Sequence, residues 1–138
     1  MKNKEKRDVV GAIVIDNRGR ILLQKKTVDY IAVPGGGWCL FGGEIESGED
    51  PKKTLKRELK EELGVDFDDI RFFSNHHYQL DSGFWGEEYT FIVKFNGKIS
   101  DIRLSEGAGF AFFDFSELGS INLMDMAKDI IDRYLASV

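Results

Sequence analysis

The chain has 138 residues, of which 19 are basic and 24 acidic, for a formal net charge of −5 at pH 7, and 42% of it is apolar. That length suits a single domain, that apolar share supplies a packed core and excludes a disordered chain, and the acidic balance argues against a general nucleic-acid binder, which carries a basic surface. The lone cysteine, Cys39, excludes an intrachain disulfide and a thiolate zinc cluster, and the adjacent His76 and His77 do not make a His-rich metal site by themselves.

In chain order, Met1 to Asp8 is highly charged and lacks the apolar stretch of a signal peptide. Val9 to Ile15 reads as a buried strand and is far short of the roughly 20 apolar residues of a membrane helix. The expectation is a soluble, cytoplasmic protein with one domain over residues 1–138. Asp16-Asn17-Arg18-Gly19 supplies turn chemistry, and Arg20 to Gln24 reads as a second strand pairing back as a hairpin. Val33 to Gly37 is a loop, and Trp38 to Phe41 a short strand closed by Gly42-Gly43. A helix follows, capped by Asp50, opened by Pro51 and stopped by Gly64. Three β-rich stretches, Ile70 to Leu80, Trp85 to Phe95 and Gly109 to Phe115, precede a final helix over Leu123 to Ala136, whose Ala127, Ile130, Ile131, Tyr134 and Leu135 recur at helical spacing. This pattern is a mixed α/β arrangement, a sheet with helices on its faces.

The first helix carries the chemistry. Leu55, Leu59 and Leu63 form its core stripe, while Glu58, Glu61 and Glu62 fall within roughly 100° of arc. A solvated helix face gains by setting Glu four residues before Lys, but here Glu58 is spaced with Glu62, and Lys56 with Lys60. Crowded carboxylates of this kind suit Mg²⁺ or Mn²⁺, hard cations that take oxygen ligands. On the helix alone, a cation site and a solvated acidic face both stay open. Upstream, Gly42, Gly43 and Gly48 surround Glu44, Glu46 and Glu49 in a tight loop, and Arg57 is placed to pair with a carboxylate such as Glu49.

Gly43, Glu49 and the run Arg57-Glu58-Leu59-Lys60-Glu61-Glu62-Leu63-Gly64-Val65 together resemble the Nudix box, here over residues 43–65. The chain is similar to the Nudix (MutT-like) hydrolase family. Outside the box the resemblance is weaker but continues through an early hairpin ending in Lys25-Lys26 and a closing stretch, Glu106 to Leu118, that leads into the C-terminal helix. The resemblance implies an αβα sandwich with a mixed β-sheet and hydrolysis of a nucleoside diphosphate linked to another group, by attack of water on phosphorus. It implies Glu58, Glu61 and Glu62 as ligands of Mg²⁺ (or Mn²⁺), with the carbonyl of Gly42. Glu58, Glu61 and Arg57 are then the catalytic candidates, with Glu58 a general-base candidate, while Gly43, Glu49 and Gly64 support the site.

Outside the box, Lys25 stands where relatives often carry a phosphate-contacting arginine, against the plainer reading of a solvent-facing lysine. Glu106 best matches a further late-loop metal ligand, with Glu87 and Glu88 as competitors. Phe84, Trp85 and Tyr89 are rings for stacking on a base, or else packing residues. Cys39 reads as a small buried residue and not a nucleophile. Phe41 fills a slot where relatives commonly carry proline, and is expected in the pocket floor. The substrate reading is a small nucleotide, first a (d)NTP or modified (d)NTP. Nucleotide-sugar or ADP-ribose cleavage, a non-catalytic nucleotide sensor and an RNA-end pyrophosphatase are the alternatives. The partners expected are this small-molecule substrate, no membrane and no nucleic acid, and a homodimer is admitted.

Overall fold

The protein is described by a computed structural model covering residues 6–27, 36–105 and 107–138. Its centre is β1 (Val9–Ile15), whose side chains divide by parity. Val10, Ala12 and Val14 join one core and Ile13 the other, as alternation along a strand buried on both faces requires. β2 (Ile21–Lys26) returns antiparallel but pairs with β1 only at Val14↔Leu22 and Ile15↔Ile21 before the strands part. Each then takes other partners. β1 pairs antiparallel with β4 (Phe41–Glu44), from Val9↔Glu44 to Ala12↔Phe41. On its other side β1 runs parallel with β6 (Trp85–Lys94) along its whole length. β2 holds β3 (Gly37–Cys39) and β7 (Gly109–Phe113), both antiparallel. β5 (Ile70–Gln79) forms the edge beyond β6, with an irregularity between Phe72 and Ser74.

This seven-stranded mixed sheet lies between α1 (Pro51–Leu63) and α2 (Asp125–Ser137), giving the expected αβα sandwich. Under α1, Leu55, Leu59 and Leu63 pack with Val10, Ala12, Val14, Leu22, Phe41, Phe91 and Val93. Under α2, Ile130 and Ile131 pack with Ile13, Ile21, Leu23 and Leu118. Burying each such side chain contributes about 1.5–3 kcal/mol, so the leucine stripe fixes which face of α1 meets the sheet and leaves its acidic arc at the margin. Among the described residues no helix is long and apolar enough to cross a membrane.

Several boundaries differ from the sequence expectation. The strand expected over Trp38 to Phe41 is two strands broken at Leu40, and Gly42-Gly43 lies inside the second, paired with Gly11 and Val10. Glycine is needed at 42 because a Cβ there would clash with the carbonyl oxygen of Val10. Backbone pairing needs no side chain, so this strand gives no apolar signal. β2 extends two residues past Gln24 to Lys26, a polar end held by β3 and β7. The stretch to Phe115 ends as a strand at Phe113 and continues as a 3-10 turn over Phe115–Ser120, and the last helix begins at Asp125. The loop expected at Val33 to Gly37 lies outside the described residues except for its last two.

Candidate active site

α1 is fixed at both ends by local chemistry. The Asp50 side chain accepts from the Lys53 N–H at 3.2 Å, Pro51 opens the first turn, and Gly64 adopts φ 70° as its N–H donates to the Lys60 carbonyl. The carbonyls of Leu63 and Glu62 accept from Arg103 N–H and Ser105 N–H at 2.8 and 3.0 Å. The segment leading to β7 thereby satisfies the last turn, whose acceptors lack partners within the helix.

Arg57 joins this helix to the preceding loop. Its Nη2 and Nε donate to the two carboxylate oxygens of Glu49 at 3.0 and 3.3 Å, a bidentate pair. Its Nη1 donates to Glu58 Oε1 and Glu61 Oε1, each at 3.3 Å. The guanidinium beside Glu49 holds that carboxyl below the usual carboxylate range, and the surrounding carboxylates hold Arg57 charged. Glu49 Oε1 also accepts from Glu46 N–H at 3.1 Å, closing the loop on itself.

The three helix carboxylates meet different environments. Glu61 is largely exposed, with 59% of its side chain accessible, while Glu58 is mostly covered. Glu62 is buried, at 4% exposure, and receives Gln24 Nε2 at 3.5 Å. Gly43 makes room for Glu58, since a Cβ at position 43 would stand 2.5 Å from the Glu58 carboxyl carbon. That cradle sets the Glu58 carboxylate against β4 beside Gly42. The donor set, three carboxylates with a strand backbone alongside, fits a hard divalent cation in kind. Among the described residues no three His, Cys, Asp or Glu side chains converge on one point as they stand. Arg57 spans Glu58 and Glu61, and Glu62 turns inward to Gln24.

The other candidates separate by sheet face. Lys25 pairs with Trp38, a residue of the α2-side core, and its Nζ lies 5.8 Å from that ring's centre. Its side chain therefore leaves the sheet away from the box. Lys26, of opposite parity, sits on the α1 side with Gln24 and Cys39, and its charge acts on the Cys39 thiol. The resemblance points to Lys25 at the end of the hairpin, but the parity of Leu22 and Gln24, carried to the end of β2, puts Lys26 on the box side instead. Cys39 is buried as expected, and burial pushes its thiol up to about 11. Glu88 faces α2, not the box. It is 3% exposed, accepts from Thr90 Oγ1 at 2.7 Å, and burial raises its pKa. Glu87 contacts His77 Nδ1 at 3.3 Å, and both histidines are exposed. Glu106 lies outside the described residues.

Phe84 and Trp85 stand at the β5–β6 turn, at the sheet end where β1 starts. The Arg7 guanidinium lies 4.2 Å from the Phe84 ring centre, and Lys6 Nζ lies 5.9 Å from that of Trp85. Arg7 N–H donates to the Trp85 carbonyl at 2.8 Å, so the segment before β1 packs on both rings. Tyr89 packs against the α1-side core. Phe41 is fully buried among Leu55 and Leu59. It is a core residue and not pocket floor, because its position on β4 opposite Ala12 points it under the helix.

Against known proteins, the model of the NUDIX domain family matches residues 5–135. The chain is similar to an RNA pyrophosphohydrolase of Gluconacetobacter diazotrophicus, 32% identical over 112 residues, covering 70% of this chain and 67% of that one. It is also similar to an 8-oxo-dGTP diphosphatase of Proteus vulgaris, 30% identical over 66 residues, covering 48% of this chain and 57% of that one. Its fold matches that of the MutT protein of Methanosarcina mazei with a TM-score of 0.83 at 20% identity, covering 99% of this chain and 98% of that one. With the family's model spanning the sandwich and the Arg57-centred box alike, this chain belongs to the Nudix hydrolase family.

Proposed function

We propose that residues 1–138 form one Nudix domain that hydrolyses a pyrophosphate bond in a nucleoside di- or triphosphate derivative, foremost a (d)NTP or modified (d)NTP, using Mg²⁺ or Mn²⁺. The observation that carries this reading is the pair of carboxylates Glu58 and Glu61 held by one guanidinium, with Glu58 seated against the glycine strand and Glu62 beside them on the same helix, turned to Gln24. Those carboxylates and the Gly42 carbonyl would hold the cation, with Glu106 from the late loop. When bound, the cation neutralises charge on the pyrophosphate and supplies Lewis acidity at the attacked phosphorus.

The chain's own residues do the rest. Glu58 accepts the proton of the attacking water, a role suited to a mostly covered carboxylate held by Arg57 on one side and Gly43 on the other. Arg57 keeps Glu58 and Glu61 oriented and offsets their repulsion while Glu49 anchors it. Lys26, on the box side of β2, supplies positive charge for a substrate phosphate in place of Lys25. Trp85 and Phe84 at the sheet's end are candidates to line the base.

Two relatives act, by their names, on RNA and on 8-oxo-dGTP, and a nucleotide pyrophosphate is common to both. The free nucleotide is preferred here because the chain's net charge of −5 opposes an RNA track, and the cytoplasm is the compartment proposed. The test is release of phosphate or pyrophosphate from a panel of (d)NTPs, oxidised (d)NTPs, ADP-ribose, nucleotide sugars and 5′-triphosphorylated RNA, in Mg²⁺ and in EDTA, with Glu61→Gln alongside. Cation-dependent release from the triphosphates, lost in the variant, is expected. Saturable binding without turnover would replace the enzyme by a nucleotide sensor, and turnover confined to RNA or ADP-ribose would overturn the substrate.

A further inference from the structure

We infer that Gln24 is a positioning residue for the carboxylate of Glu62, which rests on the reading of Glu62 as a cation ligand. Ile21-Leu22-Leu23-Gln24 is a buried strand run in which an amide stands where parity calls for an apolar side chain. Gln24 is 2% exposed and faces α1, opposite Cys39 in the register. Its Nε2 donates to the Leu40 carbonyl at 3.1 Å and to Glu62 Oε2 at 3.5 Å. Turning the amide over would set its oxygen against a carbonyl and a carboxylate, so the two acceptors fix its orientation.

That orientation leaves Gln24 Oε1 buried without a donor among the described residues. It lies near Gly107, where a Cβ would stand 3.6 Å from it. A buried amide oxygen with no donor is unfavourable for folding, and a methionine of nearly the same shape would avoid it. The amide is thus a poor choice for the core and a good one for Glu62, the only one of the three box carboxylates that is buried. Gln24 touches neither water nor substrate in this role; it acts by holding one oxygen of Glu62, as outer partners hold metal ligands elsewhere.

The experiment compares wild type, Gln24→Met and Gln24→Leu in three readouts: thermal unfolding without metal, Mn²⁺ affinity by electron paramagnetic resonance of the free ion, and kcat and KM in Mg²⁺. Gln24→Met is expected to unfold at or above the wild-type temperature while binding Mn²⁺ roughly 10-fold more weakly, with kcat down by a similar factor and KM unchanged. A purely structural role would move the unfolding temperature and leave Mn²⁺ affinity alone. Unchanged Mn²⁺ affinity in a folded Gln24→Met or Gln24→Leu protein overturns the inference, as does failure of both variants to fold. Folded wild type that binds no Mn²⁺ overturns the proposed cation site as well, which separates the two failures.

Discussion

The carboxylate of Glu58 occupies the volume that any side chain at Gly43 would need, a Cβ there standing 2.5 Å from its carboxyl carbon and 2.7 Å from Oε1. The glycine of the box is thus a contact requirement between β4 and α1. Its φ is not in the left-handed region, so alanine is compatible with the backbone and its methyl meets Glu58 directly. Gly43→Ala is expected to displace Glu58 and lower kcat on the order of 100-fold, the penalty for misplacing a reacting group by about 1 Å. The accompanying overpacking costs about 1–3 kcal/mol. Kinetics and thermal unfolding of the same preparation check both.

Arg57 carries the next prediction. Its bond to Glu49 is the largest cause of that carboxyl's lowered pKa in the folded protein. A carboxyl with a depressed folded pKa contributes stability above its unfolded pKa and loses it as pH falls through the folded value. Arg57→Ala is therefore expected to lower the unfolding temperature at pH 7, by an amount that shrinks as pH falls below about 4. Loss of the shared donor to Glu58 and Glu61 also lowers kcat by roughly 10-fold or more. A temperature difference that is constant from neutral to acid pH would show that Arg57 acts by packing alone.

The ends of α1 were legible because caps are local: Asp50, Pro51 and Gly64 act on backbone groups within four residues. Pairing of Arg57 with Glu49 was legible from charge and a short connection. Three features were not. β4 pairs through glycines, which carry no apolar pattern. Assigning Lys25 or Lys26 to the box side depends on the strand's true end, and a one-residue change in parity exchanges faces. Glu88 looked equivalent to Glu87 until α2 covered its face of the sheet, a consequence of tertiary packing far along the chain.

Glu88 makes that separation testable. Burial raises its pKa, a neighbouring Asp129 adds to the rise, and the Thr90 hydroxyl opposes it. An acid with a raised folded pKa opposes folding once it ionises, so the loss of stability develops as pH rises through its unfolded and folded values. Glu88→Gln keeps an acceptor for Thr90 Oγ1 and removes the ionisation. It is expected to raise the unfolding temperature at pH 7 by a few degrees, with the gain fading toward acid pH. Because Glu88 lies across the sheet from the box, kcat stays unchanged. A large fall in kcat would instead place Glu88 in the machinery and reassign the late-loop role to β6.

Phe41 tests whether the residue before the paired glycines shapes the pocket or the core. Its ring is fully buried against Leu55 and Leu59, the residues that seat α1. Phe41→Ala is expected to cost about 3–5 kcal/mol through lost burial and the cavity left behind, a large part of a stability of about 5–15 kcal/mol. Assayed well below its lowered unfolding temperature, the variant should keep the wild-type KM, since the ring meets no group proposed to bind nucleotide. Phe41→Leu, which keeps most of the volume, should recover much of the stability. A raised KM with little change in unfolding temperature would return Phe41 to the pocket floor, and would require the strand after Leu40 to sit with its other face toward α1.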